Sequence, residues 1–344
     1  MILPVKFPPI TSDPQYADLL AATLPYKGGY EWYISNFIQI YTDFLFYKQY
    51  GKGELRFREH LFILNRPTPS FWYDCIPFVK TKNYIHDVSL FIDVRNITEY
   101  FKHIINEGNY IIAYVDRHYA NARYPLGTLH SMLIYGYDSY SFKVADFISN
   151  SGTYTFSEVS IDNIHKSFNP GNEYDLPPFI DSANKVVYFA MSDAEYKMDT
   201  GLIKRLLEDY YLERNTTDSY ECLEETNKHE HNAIWGMGCI SYVIDYLSNL
   251  EEKTLDLKAL VLLSDHKKAM VERLEYLLSI GQLTDSSAIE NYVAIRDKMQ
   301  SCVGLGVKYL LTNEKKFVSQ IVHQLQTVYE SEKNVLPKIL NDIG

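Results

Sequence analysis

Large apolar residues stand at positions 33, 34, 37, 38, 40, 41, 44, 45 and 47 of the stretch Tyr33–Tyr50, covering most of a helical circumference. That pattern predicts a buried central helix. Upstream, residues 1–30 carry Pro4, Pro8, Pro9, Pro14 and Pro25 and end in Gly28-Gly29, which predicts irregular chain with one short helix near Tyr16–Thr23. From Glu54 to Val79, short β-prone runs flank Pro67 and Pro69 and predict strands. Ile97–Asn106 has helical spacing and stops at Gly108, whereas Tyr110–Val115 is a continuous apolar run of strand length and predicts an interior strand. Leu129–Tyr135 and Ser141–Phe147 are β-prone runs around a polar Gly136–Tyr140 loop and predict a hairpin, with one more strand at Lys185–Met191.

Beyond about Ser192 the period changes. Met198–Leu212, Asn232–Leu250, Asp265–Ile280, Asp285–Leu311 and Glu314–Ile339 read as successive helices separated by polar breaks. The chain thus divides into an α+β half at 1–191 and an all-α half at 192–344.

Composition narrows the classes. The 344 residues are 46% hydrophobic and 15% aromatic, with 30 tyrosines, which excludes disorder as the main state. A net charge of −11 without a basic stripe argues against nucleic acid as a partner. No apolar run reaches the roughly 18–20 residues of a membrane span, and Met1–Pro9 lacks the pattern of a signal peptide. Cys75, Cys222, Cys239 and Cys302 are widely spaced, as free thiols of a reducing compartment would be. The expectation is a cytoplasmic protein with neither a membrane nor a nucleic-acid partner.

Candidate chemistry sits on the hairpin. With its loop centred on Asp138, His130 and Asp146 fall opposite one another on one face, Cβ atoms about 4.5–5.5 Å apart. A carboxylate at that range fixes one imidazole tautomer and stabilises the imidazolium, which is the base-and-orienter half of a nucleophilic triad. A one-residue slip would separate them, and a cross-strand polar pair without chemistry has the same sequence. The nucleophile is the missing part. Attacking groups favour helix N-termini, and the start at Glu31–Asn36 holds no cysteine, only Ser35, which also suits a helix-capping role. Cys75 would keep the order Cys, His, Asp, but its surroundings read as a strand with a structural thiol.

The segments Tyr110–Asp116, Arg117-His-Tyr, Tyr124, His130–Asp138 and Val144-Ala-Asp146, with the later Ile234–Ile240, resemble the core of the butirosin biosynthesis protein H family, related to the papain-like fold of bacteriocin-processing cysteine peptidases. The resemblance implies a papain-like half followed by a helical half, with His130 as general base and Asp146 as its orienter. It implies an acyltransferase or amide-bond-forming enzyme of specialised-metabolite assembly, such as nonribosomal peptide biosynthesis. The acyl group would come from an acyl or peptidyl carrier protein's phosphopantetheine thioester and pass to a small amine. No metal or organic cofactor is implied. This chain departs from the family where its cysteine belongs, since the nearest alignments put Trp32, Tyr33 or Ser35 there. A catalytically degenerate member that binds a carrier protein or partner enzyme is therefore an alternative, and a peptide or thioester hydrolase a third.

Other motifs are weaker. Lys228-His-Glu-His231 lacks a third metal ligand, Asp265–Lys268 and Glu314–Lys316 read as solvated basic faces or a docking patch for an acidic carrier, and Gly304-Leu-Gly306 reads as close helix packing. Asp116 either lines a cleft or caps the loop after its strand.

Overall fold

The computed structural model of the protein describes residues 1–43, 54–57, 77–85, 93, 96–149, 152–168, 185–216, 233–250 and 255–344. It is a mixed α+β protein whose later part is helical. Two compact units make it up: Met1–Gly29 with Ile76–Tyr196, and Tyr30–Cys75 with Lys197–Gly344. The division differs from a single cut at 191, because residues 30–75 group with the helices rather than with the sheet that follows them.

The first unit is built on a six-stranded antiparallel sheet. In chain order its strands are β3 (Val79–Ile85), β4 (Asn109–Asp116), β5 (Leu129–Tyr137), β6 (Ser141–Asp146), β7 (Thr155–Ser160) and β8 (Val186–Met191), and in space they run β3-β8-β4-β5-β6-β7. β1 (Ile40–Asp43) and β2 (Glu54–Phe57) form a separate antiparallel pair in the second unit. β4 is the interior strand its apolar run predicts, paired with β5 on one side and β8 on the other and buried along nearly its whole length. Helix α1 (Pro14–Thr23) packs on β5 and β6. Helix α3 (Ile97–Asn106) packs on β4 and β5 through Ile97, Phe101, Ile104 and Ile105, and full burial of a side chain of this size contributes about 1.5–3 kcal/mol. The polar-rich Thr155–Ser160 is a strand that the sequence reading leaves out, and so is the following helix α4 (Ile161–Ser167), capped by the Ser160 hydroxyl accepting from the Asn163 N–H at 3.1 Å.

In the second unit, the helix expected over Tyr33–Tyr50 is shorter. Helix α2 (Gly29–Asn36) ends where the Asn36 side chain donates back to the Trp32 carbonyl at 2.7 Å, and the β-branched and aromatic Ile40-Tyr-Thr continues as β1, paired with β2. A run whose large apolar residues cover most of the circumference has no clear period to separate helix from strand. Residues 44–50 and 58–76, where the remainder of that helix and most of the strands between Glu54 and Val79 are expected, lie outside the described residues. Trp235 bridges to Tyr41 and stacks on it with centroids 5.1 Å apart, so Ile234–Gly236 extends β1 before helix α6 begins.

The helices here are α5 (Thr200–Tyr211), α6 (Gly238–Ser248), α7 (Leu257–Ser279), α8 (Ser287–Thr312) and α9 (Lys315–Asp342). α7 starts well before Asp265 because the Asp256 carboxylate caps it, accepting from the Lys258 N–H at 3.0 Å. Gly306 brings α8 against the start of α7, since a Cβ there would lie 2.7 Å from Leu257 Cδ1, whereas a Cβ on Gly304 would meet nothing within 4 Å, so the close packing expected of Gly304-Leu-Gly306 rests on Gly306 alone. α9 continues through Pro337 because Leu336, Ile339 and Leu340 on either side are buried against the unit's core.

Candidate functional site

The β5–β6 hairpin positions the candidate pair by two departures that cancel. At the loop end the register runs Tyr137↔Phe142 and Gly136↔Lys143, an odd offset from a loop centred on Asp138, and it would leave His130 and Asp146 on opposite faces. Tyr135 is then skipped, and the pairing resumes at Ile134↔Val144 and Leu133↔Ala145. Continued by one residue, this register sets Asp146 across from Met132, two residues from His130 and on the same face. The symmetric register expected from the loop is thus corrected by a bulge. Gly136 sits beside it because the backbone of Ile2 crosses there: a Cβ on Gly136 would lie 2.9 Å from Ile2 Cα.

The pair does meet. His130 Nδ1 lies 3.0 Å from Asp146 Oδ1. A third residue joins them that the sequence reading does not single out as chemistry. Arg117, in the 3₁₀ turn Arg117–Tyr119 after β4, donates from Nη2 to Asp146 Oδ1 at 2.7 Å and from Nε to Oδ2 at 3.2 Å. This is the two-pronged geometry in which guanidinium binds carboxylate most strongly. The Phe147 N–H also donates to Oδ1, at 2.6 Å. Asp146 is fully buried; burial pushes its carboxyl up, but hydrogen bonds and charge from His130 and Arg117 outweigh that and hold it below the ordinary carboxylate range.

The tautomer follows from the partners. Nδ1 of His130 has two acceptors in reach, Asp146 Oδ1 and the Ser131 carbonyl at 2.8 Å, and one donor, Arg117 Nη2, also at 2.8 Å. One N–H of Arg117 Nη2 goes to Asp146, and a bare Nδ1 that took the other would still face two oxygens with lone pair against lone pair. The proton therefore belongs on Nδ1. Nε2 then carries the lone pair and has no partner among the described residues, on a side chain 26% exposed.

Around this trio the loop is held by its own bonds. Asp116 is buried and caps the loop, accepting from the His118 N–H at 3.1 Å and the Gly127 N–H at 3.0 Å, so the capping role is the one the structure shows. Tyr124 donates to the Phe147 carbonyl at 2.6 Å and lies under the Arg117 guanidinium, 5.0 Å from its ring centroid. Phe147 meets His130 edge-on at 6.1 Å and Tyr154 at 5.3 Å, and Tyr154 donates to Asp18 Oδ1 at 2.8 Å. Asp18, on α1, is buried, and its Oδ2 has no hydrogen-bond partner among the described residues. Burial pushes this carboxyl well above the ordinary range, against the Tyr154 hydrogen bond, and the Asp146 and Asp13 charges add to the rise.

The nucleophile candidates come from other stretches of the chain. Trp32, Tyr33 and Ser35 are buried on α2 in the helical unit, and Ser35 is not at the helix start but in its last turn, its hydroxyl donating to the Glu31 carbonyl at 2.8 Å. As placed, Ser35 exposes no oxygen to a substrate. Cys75 lies outside the described residues, as do Cys222 and Lys228–His231. The two described cysteines, Cys239 and Cys302, are free and buried; burial pushes the Cys302 thiol up to about 12 and Cys239 further, so neither supplies a thiolate. Among the described residues, no group of three His, Cys, Asp or Glu side chains is placed to hold a metal ion, and no helix is long and apolar enough to cross a membrane.

The helical unit holds a second charged cluster, fully buried. Lys267 Nζ on α7 donates to Glu332 Oε2 on α9 at 2.7 Å and to the Tyr210 hydroxyl at 2.6 Å. The Tyr210 and Tyr292 hydroxyls each donate to Glu332, both at 2.9 Å. His266 accepts from Lys267 at Nδ1, 3.2 Å away, and donates from Nε2 to the Ile38 carbonyl at 2.8 Å. Arg273 donates to the Ile34 and Phe37 carbonyls at 2.7 and 2.8 Å, closing the C-terminal end of α2. The expected basic face at Asp265–Lys268 is thereby corrected: the helical period turns His266 and Lys267 into the core, and Lys268 alone of the basic residues there is exposed. Glu314–Lys316 is exposed. Compared with protein-family models and with curated proteins, the sequence matches none.

Proposed function

We propose that the protein is an acyl-transfer enzyme in which His130 acts as general base on an amine, without an acyl group being carried on the chain itself. One observation supports this above others: a histidine whose inner nitrogen is held by a buried carboxylate and whose outer nitrogen has no partner among the described residues, on a partly exposed side chain. In this reading the Nε2 lone pair takes the proton of an amine as its nitrogen attacks a thioester carbonyl. The tetrahedral intermediate expels the thiolate, and the imidazolium returns the proton to that sulfur. The donor is a carrier-protein thioester, the acceptor a small amine, and the fold papain-like, all by the resemblance of the segments around His130 and Asp146. The burial of Ser35, and of Cys239 and Cys302 with their raised thiols, favours direct transfer over a covalent intermediate.

The burial of Trp32, Tyr33 and Ser35 also favours a second reading, a papain-like protein that binds a carrier and does no chemistry. The two separate on incubating the full chain with acyl-pantetheine thioesters and a panel of amines. Direct transfer predicts amide product, at least about 10²-fold slower in His130→Gln, unchanged in Ser35→Ala and Cys75→Ala, with no acyl adduct by intact mass. An adduct lost in Cys75→Ala contradicts the direct route. Carrier-protein binding with no amide from any pair supports the binding module, and free acid as sole product points to a hydrolase.

A further inference from the structure

The trio of Arg117, Asp146 and His130 has an unusual charge balance for a base and its orienter. In the simple pair, a carboxylate facing the imidazole favours the imidazolium, because proton uptake cancels a buried negative charge. Here Arg117 has already cancelled it through two hydrogen bonds, and its Nη2 lies 2.8 Å from His130 Nδ1 itself. With Arg117 and Asp146 summing to zero, an imidazolium at His130 would be an uncompensated positive charge on a largely buried side chain.

The neighbours do not restore the balance. Asp18 on α1 is a second carboxyl beneath the site, reached through Phe147 and Tyr154, but its Oδ2 is buried without a hydrogen-bond partner among the described residues, surroundings that disfavour its charged form. Asp13, next to α1, is buried and its charge acts on Asp18; Asp116 has both oxygens on backbone N–H groups of its loop.

We infer that Arg117 is a positioning residue that sets the proton affinity of His130: it locks the Asp146 carboxylate in place and, by neutralising it, keeps the outward nitrogen of His130 available as a base. The inference rests on the reading of His130 as a base and identifies what regulates that base. Asp146 then orients His130 without trapping it as the imidazolium, and base catalysis extends to lower pH than a bare His–Asp pair allows.

The test is an NMR titration of the full chain with its histidines ¹³C-labelled at the ring, His130 being assigned by the resonance that disappears in His130→Gln. In Arg117→Gln the midpoint of His130 moves to higher pH than in wild type by at least about one unit, the size of effect a charge at this range exerts. The pH profile of amide formation moves in the same direction by the same amount. Arg117→Lys, which keeps the charge, leaves the midpoint near the wild-type position. Should Arg117→Gln fail to fold, the comparison is made between Asp146→Asn, which keeps the Arg117 charge, and Asp146→Asn/Arg117→Gln, in which no charge is left buried alone; the double variant titrates at the higher pH. Equal midpoints within either pair of folded proteins would overturn the inference. A raised midpoint in a protein that forms no amide would uphold the action of Arg117 on His130 and remove the catalytic reading, so the two failures are distinguishable.

Discussion

The Arg117–Asp146–His130 cluster of the sheet unit and the Lys267–Glu332–Tyr210–Tyr292 cluster of the helical unit each pair a cation with a carboxylate away from water. They differ in what is left over. In the helical cluster every group is used: Glu332 accepts from Lys267 and two tyrosines, and His266 has a partner at each ring nitrogen. Nothing in it faces solvent, and burial lowers the proton affinity of both His266 and Lys267. In the sheet cluster, one imidazole nitrogen is unused and a quarter of the side chain is exposed. Ion pairs of similar geometry thus have different roles. A saturated, buried network ties helices together, whereas one that stops a hydrogen bond short would, on the function proposed above, present a reactive atom.

The comparison breaks most visibly if Lys267 is removed. Lys267→Met leaves Glu332 ionised and buried without its cation, and is expected to cost about 3–5 kcal/mol in urea denaturation. Replacing the pair with apolar residues, Lys267→Met with Glu332→Leu, should recover most of that loss. A double variant as unstable as the single one would show that the network does more than balance charge.

A smaller effect separates Asp18 from Asp146. The folded-state carboxyl of Asp18 is raised, so above about pH 4 the folded protein holds a proton that the unfolded chain releases, and stability falls as pH rises. Asp18→Asn keeps an acceptor for Tyr154 and removes the titration. It should be more stable than wild type at pH 7, on the order of 1 kcal/mol, and no more stable at pH 3. Asp146 has the opposite sign: its contribution is present above about pH 4 and is lost as pH falls through its depressed folded value. Equal stability of wild type and Asp18→Asn across this range would place a charge on Asp18 and undo the balance argued for the site.

The parts of this structure that were legible beforehand are those a local pattern specifies. β4 is an unbroken apolar run, α3 a clean helical period ended at Gly108, and the hairpin a pair of β-prone runs around a polar loop. His130 and Asp146 were legible as a pair because only the parity of the register matters, and bulge and turn together preserved it. The early end of α2 and the strand β1 after it were not, since apolar and aromatic residues all round leave no period to read. β7 was missed because Thr155–Ser160 buries almost nothing. Arg117 escaped because its partner lies on β6, and no local spacing connects the two. Lys267 and Glu332 stand 65 residues apart on different helices, and the pair exists only once α7 and α9 are packed. An arginine just past an interior strand, and an aspartate inside an otherwise apolar helix such as Asp18 in α1, were the available signals for the rest of the site.

The central claim is that Asp146 and the Ser131 carbonyl keep the His130 proton on Nδ1 and leave the lone pair on the outward nitrogen. The ¹⁵N chemical shifts of the neutral His130 ring measure this directly. The geometry predicts a protonated, pyrrole-type Nδ1 and an unprotonated, pyridine-type Nε2. The reverse pattern, with Nδ1 accepting from Arg117 and the outward nitrogen carrying the proton, would contradict it, because that nitrogen would then have no lone pair with which to act as a base.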